Sequence, residues 1–175
     1  MRKATLSLVA PLVLLALPAP PAQAQTLTVL YRFSDGTDGA APFAGLIRDK
    51  AGNLYGTTVM GGSFGYGTVF KVDTSGNETV LHSFRNSDGG EPFAGLVRDK
   101  AGNLYGTTTG GGFSGYGTLF KVDTSANETV LHSFTNVPDG AGPFAGLVMD
   151  KKGNLYGTTV VGGFSGYGTV FKLIP

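Results

Sequence analysis

Apolar and polar positions along this chain fall into short blocks separated by turn residues. Between residues 92 and 134 the blocks predict four strands, Pro92–Asp99, Leu104–Thr109, Thr118–Asp123 and Glu128–Phe134. The strands are rich in the aromatic and β-branched residues that sheets favour, and turns such as Lys100–Asn103 contain Gly and Asn, which accept positive φ. The sequence of residues 25–175 shows no 3.6-residue apolar spacing typical of a helix. We therefore predict an all-β fold.

The same blocks occur three times. Pro42, Pro92 and Pro143 are equivalent positions, 50 and then 51 residues apart. Residues 42–84 and 92–134 differ at only seven of 43 positions, which indicates internal duplication. A period of this length predicts a repeat architecture. We expect one domain of three units, placed approximately at residues 35–84, 85–134 and 135–175.

The two ends of the domain complement each other. The third unit stops at Thr169–Pro175 without a fourth strand, whereas Thr26–Ser34 matches the fourth strand of the other units in position and pattern. We expect the N-terminal strand (26–34) to pair with the C-terminal strand and complete the last unit. Such an offset closes toroidal folds and removes exposed strand edges. The prediction is three four-stranded antiparallel repeats of β-propeller-blade type.

Three blades are few for a closed ring, because propellers typically have about four to eight. Two chains could form a homodimer with a six-bladed ring, each lending its N-terminal strand to the other chain. Three blades could also form an open arc. A β-trefoil remains an alternative, since it contains three four-stranded units in a single domain of about 150 residues.

The repeated pattern DGxxPFAGLxxDxxGNLYGTTxxGGxxGYGTVFKxD, followed by TVLHSF, resembles the GloVer tandem repeat of exported bacterial proteins. The resemblance extends from Leu27 to Leu173 and holds in every copy. It implies blades of a β-propeller-like fold. It implies no reaction and supplies no catalytic residues, and we see no segment typical of a C-terminal membrane anchor.

The N-terminal segment is typical of a signal peptide. Arg2 and Lys3 precede an apolar run from Ala4 to Leu17, and Ala22–Ala24 gives the small-x-small cleavage pattern. We expect residues 1–24 to be removed and the protein to be exported to the periplasm or the extracellular space. The chain contains no Cys, which excludes disulfides and thiolate metal sites.

Charge and composition narrow the range of partners. Without Arg2 and Lys3 the chain retains 11 basic and 12 acidic residues, with no basic cluster. This balance argues against nucleic acid and against an anionic membrane as partners. No motif indicates a cofactor.

Two Gly-rich motifs are candidate sites. DKAGNLYGTT, at Asp49–Thr58 and Asp99–Thr108, has no following helix and no phosphate-binding Lys, so we interpret it as a β-hairpin turn. The loops GGSFGYG and GGFSGYG present aromatic side chains that could stack on sugar rings. The candidate ligand-binding residues are Phe64, Tyr66, Phe113, Tyr116, Phe164 and Tyr167. Because Phe and Ser exchange places in the first copy, we expect the Phe side chains to be exposed and the Tyr side chains to be buried.

Two groups of polar residues are possible metal ligands, the aspartates of the first turn and the repeated histidines. Asp35 and Asp38 are candidate calcium ligands, although turn chemistry explains Asp-Gly without a metal. His82 and His132 occupy one strand position, which Tyr31 takes in the N-terminal strand. We expect these histidines to fill space or to cap a hydrogen bond, because a His-based metal site would need partners that break the repetition.

These observations favour a non-enzymatic binding module for a polysaccharide or a cell-surface protein, since identical sites gain from avidity. Catalysis usually needs one asymmetric cluster of perturbed groups, and the sequence reveals none. The alternatives are a carbohydrate-active enzyme and a passive structural protein of the envelope or matrix.

Overall fold

The computed structural model describes residues 25–175, and within them it contains eleven strands and no helix. The strands form three antiparallel sheets of four, four and three strands. The all-β prediction is therefore confirmed. Helices long and apolar enough to span a membrane are absent from these residues. The predicted signal peptide lies outside them.

Each sheet is built from one repeat. The first contains β1 (Ile47–Arg48), β2 (Leu54–Thr58), β3 (Thr68–Val72) and β4 (Glu78–Ser83). The second contains β5 (Val97–Arg98), β6 (Leu104–Thr108), β7 (Thr118–Val122) and β8 (Glu128–Ser133). The third contains β9 (Val148–Met149), β10 (Leu155–Thr159) and β11 (Thr169–Leu173).

Strands follow sequence order within every sheet, so each unit is an up-and-down meander. No strand of residues 25–175 pairs with a strand of another unit, so the units do not share a barrel as the β-trefoil alternative requires. The turn Asp99–Asn103 joins β5 to β6. Its Asp99 carboxylate accepts bonds from the Asn103 backbone N–H at 2.9 Å and side-chain amide at 2.7 Å. The hairpin interpretation of DKAGNLYGTT is confirmed.

Two predicted strands differ from the structure. Only Val97–Arg98 of the predicted strand Pro92–Asp99 pairs. Pro92 has no N–H for a ladder, and Phe93 instead packs against Phe43 and Phe144 of the neighbouring units at centroid distances of 5.5 and 5.2 Å.

The N-terminal segment also departs from its prediction. Residues 26–34 form no strand and do not pair with β11. Phe33 packs edge-on against Phe70 of the first unit at 4.9 Å. Phe84 lies in the same way against Phe120 of the second unit at 5.0 Å. Phe33 thus fixes the segment to the first unit, as the end of β4 is fixed to the second.

The apolar core lies between successive sheets. Val69 and Phe84 of the first unit pack with Leu96, Leu104 and Phe120 of the second. A second cluster joins Leu119 and Phe134 to Leu147 and Leu155 of the third unit. Each unit is therefore stabilised by burial against its neighbours, as in repeat proteins.

Candidate functional site

The aromatic loops connect the second and third strands of each unit, at equivalent ends of the three sheets. They comprise residues 61–67, 111–117 and 162–168. In each loop the last Gly donates a backbone hydrogen bond to the first, for example from Gly117 N to Gly111 O at 3.1 Å. The Phe113 N–H also bonds Ser133 Oγ of β8 at 2.9 Å. These bonds hold the loop backbone in one conformation.

The closing glycine of each loop cannot be replaced without strain. Gly117 has φ of 95°, and a Cβ there would collide with the Thr108 carbonyl oxygen. Only glycine adopts this conformation at low cost. The Gly-rich composition of the loop therefore has a structural cause in the tight return of the chain to β7.

The Phe side chains project into solvent, as the sequence predicts. Phe113 is 97% exposed, Phe164 is 89% exposed and Phe64 is 47% exposed. Phe64 is more covered because the Arg85 guanidinium lies 4.5 Å above its ring. Each unit thus presents one loop Phe outside the core.

The expectation that the loop Tyr side chains are buried is wrong. Tyr66 and Tyr116 are each 41% exposed, and Tyr167 is 92% exposed. The following unit covers the Tyr66 and Tyr116 side chains only in part. At Tyr66, for example, the contact is made by a hydrogen bond from Glu91 N–H to the Tyr66 carbonyl and by Gly90 beside the edge of the ring. The described residues provide no following unit for Tyr167. All six predicted ligand-binding residues are therefore at the surface.

Asp38 caps the first acidic turn. Its carboxylate accepts hydrogen bonds from the Ser34 hydroxyl and backbone N–H, both at 2.8 Å, and from the Tyr31 hydroxyl at 3.0 Å. The Ser34 hydroxyl bond is the largest cause that lowers the pKa of Asp38 to about 2. Asp35 is exposed, with φ of 62°. Thus the calcium candidates lie in a turn whose hydrogen bonds already occupy Asp38.

A cluster that the sequence analysis missed lies between the first two units. His82 of β4, Asp88 of the following loop and Glu128 of β8 place their ligand atoms within 4.8 Å of one another. Burial and then the Asp88 carboxylate raise the pKa of Glu128 to about 7. Burial lowers the pKa of His82, although Asp88 favours its charged form. His82 therefore has two carboxylate neighbours, whereas His132 Nε2 lies 2.6 Å from Asp139 Oδ2 in a hydrogen bond, as the hydrogen-bonding interpretation of these histidines expects.

Equivalent residues occur in the other units, but with different members. Tyr31 of the N-terminal segment corresponds with Asp38 and Glu78 of the first unit, and His132 of the second unit corresponds with Asp139 of the third. The position of Glu128 has no counterpart in the third unit, because its described residues lack a fourth strand. Of the three places, only the middle one combines His, Asp and Glu.

The fold and its loops define a class of protein, an all-β tandem-repeat protein that presents an aromatic loop in each unit. The family described as the Gloeobacter/Verrucomicrobia repeat matches residues 20–175. The chain belongs to this family, as the sequence resemblance indicates. A search of curated proteins gave no match.

Proposed function

We propose that the protein is an exported, non-enzymatic module that binds a surface glycan through its aromatic loops. The observation that carries this proposal is the exposure of a Phe and a Tyr in the same loop of all three units. Sugar rings have apolar faces that stack on aromatic rings. The signal-peptide pattern of residues 1–24 supports export.

The loops are suited to recognition because their backbone is already ordered. Internal hydrogen bonds and the bond from Phe113 N to Ser133 Oγ reduce the conformational entropy lost on binding. One aromatic loop in each unit gives several equal contacts to a repeating polymer. Avidity then multiplies a weak interaction at each loop.

The geometry gives less support to a carbohydrate-active enzyme. Asp88 and Glu128 lie at a separation near that of a catalytic carboxylate pair. However, Oε1 of Glu128 has less than 1 Å² of accessible surface, so a sugar cannot contact this oxygen. A passive structural role predicts no ligand and is an outcome of the binding experiment.

The binding experiment compares the full chain with two triple variants on a panel of insoluble polysaccharides. The variant F64A/F113A/F164A removes the exposed ring from each loop. The control K50A/K100A/K151A changes three equally repeated, exposed positions in the turns between the first two strands. We expect at least one polysaccharide to retain the wild type. Retention should be at least about ten-fold weaker for the Phe variant and unchanged for the Lys control, taking as a guide the stacking of nucleic-acid bases on aromatic side chains, which contributes about 1–3 kcal/mol per base.

Other results distinguish the alternatives. Absence of retention by every polysaccharide defeats the glycan proposal and favours a structural role. Equal retention by the Phe variant defeats the assignment to the loops. Capture of a cell-surface protein that depends on the same Phe residues indicates a protein ligand instead.

We further propose that two chains close a six-bladed propeller head to tail. Val69 and Leu119 are fully buried under the next unit, whereas the equivalent Val170 is 83% exposed. Phe33 holds the N-terminal segment on the first unit as Phe84 holds the end of β4 on the second. This position of the segment supports the proposal that β11 of another chain pairs with it and covers the exposed Leu27 and Leu30.

A further inference from the structure

We propose that His82, Asp88 and Glu128 form a binding site for a divalent transition-metal ion, such as Zn²⁺, between the first and second units. One ring nitrogen of His82 and one oxygen of each carboxylate lie within 4.8 Å of one another. One His and two carboxylates are ligand types that Zn²⁺ accepts, and three protein ligands leave a fourth position open.

The strongest support is the lack of hydrogen bonds at this point. His82 Nε2 and Glu128 Oε1 each have less than 1 Å² of accessible surface and no hydrogen-bond partner among the described residues. Nε2 is 3.3 Å from Asp88 Oδ2, but the geometry is not that of a hydrogen bond. Buried polar atoms without partners are costly, and a bound ion is one recognised way of satisfying them.

At the two equivalent places, polar side chains form hydrogen bonds with each other without an ion. Between the N-terminal segment and the first unit, the Tyr31 hydroxyl donates to Asp38 at 3.0 Å. Between the second and third units, His132 Nε2 is 2.6 Å from Asp139 Oδ2, with hydrogen-bonding geometry. Glu78 Oε1 also lacks a partner, so an unpartnered carboxylate alone is not distinctive. The middle place is distinctive because an unpartnered imidazole and an unpartnered carboxylate face the same carboxylate.

The site is connected to the aromatic loop of the second unit. Two backbone carbonyl groups of the segment that carries Asp88 accept hydrogen bonds from this loop and the residue after it. Gly112 N–H donates to Asn86 O at 2.7 Å, and the Thr118 hydroxyl donates to Asp88 O at 3.1 Å. An ion held by Asp88 would therefore brace both ends of loop 111–117. This inference is independent of whether the loops bind a glycan.

Equilibrium dialysis of the untagged full chain against Zn²⁺ tests the site. We expect one strongly bound ion per chain. H82Y gives this place the same Tyr, Asp and Glu that the protein already has at Tyr31, Asp38 and Glu78. We therefore expect the variant to fold. Changes beyond the direct ligands alone can cost about 10–100-fold in metal affinity, so H82Y and E128Q should each lose about 100-fold or more. H132Y is the matched control, because no Glu lies beside His132 among the described residues, and the affinity of this variant for Zn²⁺ should not change.

A gain-of-site variant provides a second test. Y31H creates His beside Asp38 and Glu78, and two strongly bound ions per chain are expected. The proposal is overturned if the wild type binds Zn²⁺ no more tightly than H82Y, or if H132Y weakens binding as much as H82Y. Absence of Zn²⁺ binding by the wild type would likewise overturn it.

Discussion

At the scale of single residues, buried hydroxyl pairs stabilise each hairpin. Thr108 Oγ1 accepts from the Thr118 backbone N–H at 3.0 Å and lies 2.9 Å from the Thr118 hydroxyl. Both residues are fully buried. The same pair occurs as Thr58 and Thr68 in the first unit, at 2.8 Å. These contacts explain why a polar residue is found at this core position.

Thr108→Val should lower the free energy of unfolding by about 1–3 kcal/mol, because the buried Thr118 N–H loses its acceptor. Chemical denaturation followed by circular dichroism measures the change. Thr129→Val, at an exposed position of β8, is the control and should lie within about 0.5 kcal/mol of the wild type. Equal effects of the two variants would show that the hydroxyl pair does not contribute to stability.

Asp49 and Asp150 make stability depend on pH. Hydrogen bonds from the Asn53 and Asn154 side chains are the largest causes that lower their pKa values to about 2. The pKa of an Asp side chain in the unfolded chain is about 3.9. The unfolded state therefore binds more protons between these values, so the stabilisation is complete above about pH 5 and decreases as the pH falls towards 2.

D49N/D150N removes these carboxylates. We expect the variant to have a lower urea midpoint than the wild type at pH 7, and the difference to shrink between pH 5 and pH 2. D35N is the control, because Asp35 is exposed. A difference that stays constant with pH would contradict the assignment of the acid dependence to these turns.

At the scale of the strands, a glycine in the second strand of each unit makes room for an aromatic ring. A Cβ on Gly106 would lie 2.6 Å from Phe120 Cζ and 2.9 Å from a Leu96 methyl. Overpacking of this kind costs about 1–3 kcal/mol. Gly106→Ala should lower the thermal midpoint, whereas Gly110→Ala, which has no atoms within 4 Å of the added Cβ, should change it little. Equal midpoints for the two variants would contradict the packing argument.

The strands that the sequence predicts correctly are those defined by local chemistry. β6, β7 and β8 are bounded by the Asp–Asn turns 99–103 and 123–127 and by the Gly-rich loop 111–117, and they contain β-branched residues. The adjacent sequence is therefore enough to predict them. Residues 92–96 and 26–34 are apolar and also look like strands. Whether they pair depends on other units, because Phe93 packs across to Phe43 and Phe144, and Phe33 packs onto Phe70. The local pattern of apolar residues does not show which unit a side chain packs against, so it cannot predict whether these segments pair.

The candidate site was predictable to a similar extent. The Phe–Ser exchange at residues 63 and 64 correctly indicates an exposed loop position. The Tyr exposure depends on how far the next unit overlaps the loop, which the sequence does not specify. The partners of His82 include Glu128, which is 46 residues later in the next unit. The sequence did contain one signal for this cluster. Tyr31 replaces the histidine found at His82 and His132, although the acidic residues nearby recur in the other units.

At the scale of the whole molecule, each unit buries its apolar face on its neighbour, and the last face is open among the described residues. Val170 is exposed where Val69 and Leu119 are buried, and Tyr167 is more exposed than its two counterparts. Exposed apolar faces of this kind mark interaction sites. The proposed six-bladed ring requires a second copy of the chain to cover this face and to complete the circle with six aromatic loops.

The mass of the protein in solution, measured by light scattering after size-exclusion chromatography, tests this claim most directly. We expect twice the mass of the chain for the wild type. V170D should give the mass of a single folded chain, because a charge would be buried at the contact. The control T129D places the same charge at an exposed position of β8 and should remain a dimer. A wild-type protein with the mass of one chain at all concentrations would contradict the six-bladed ring.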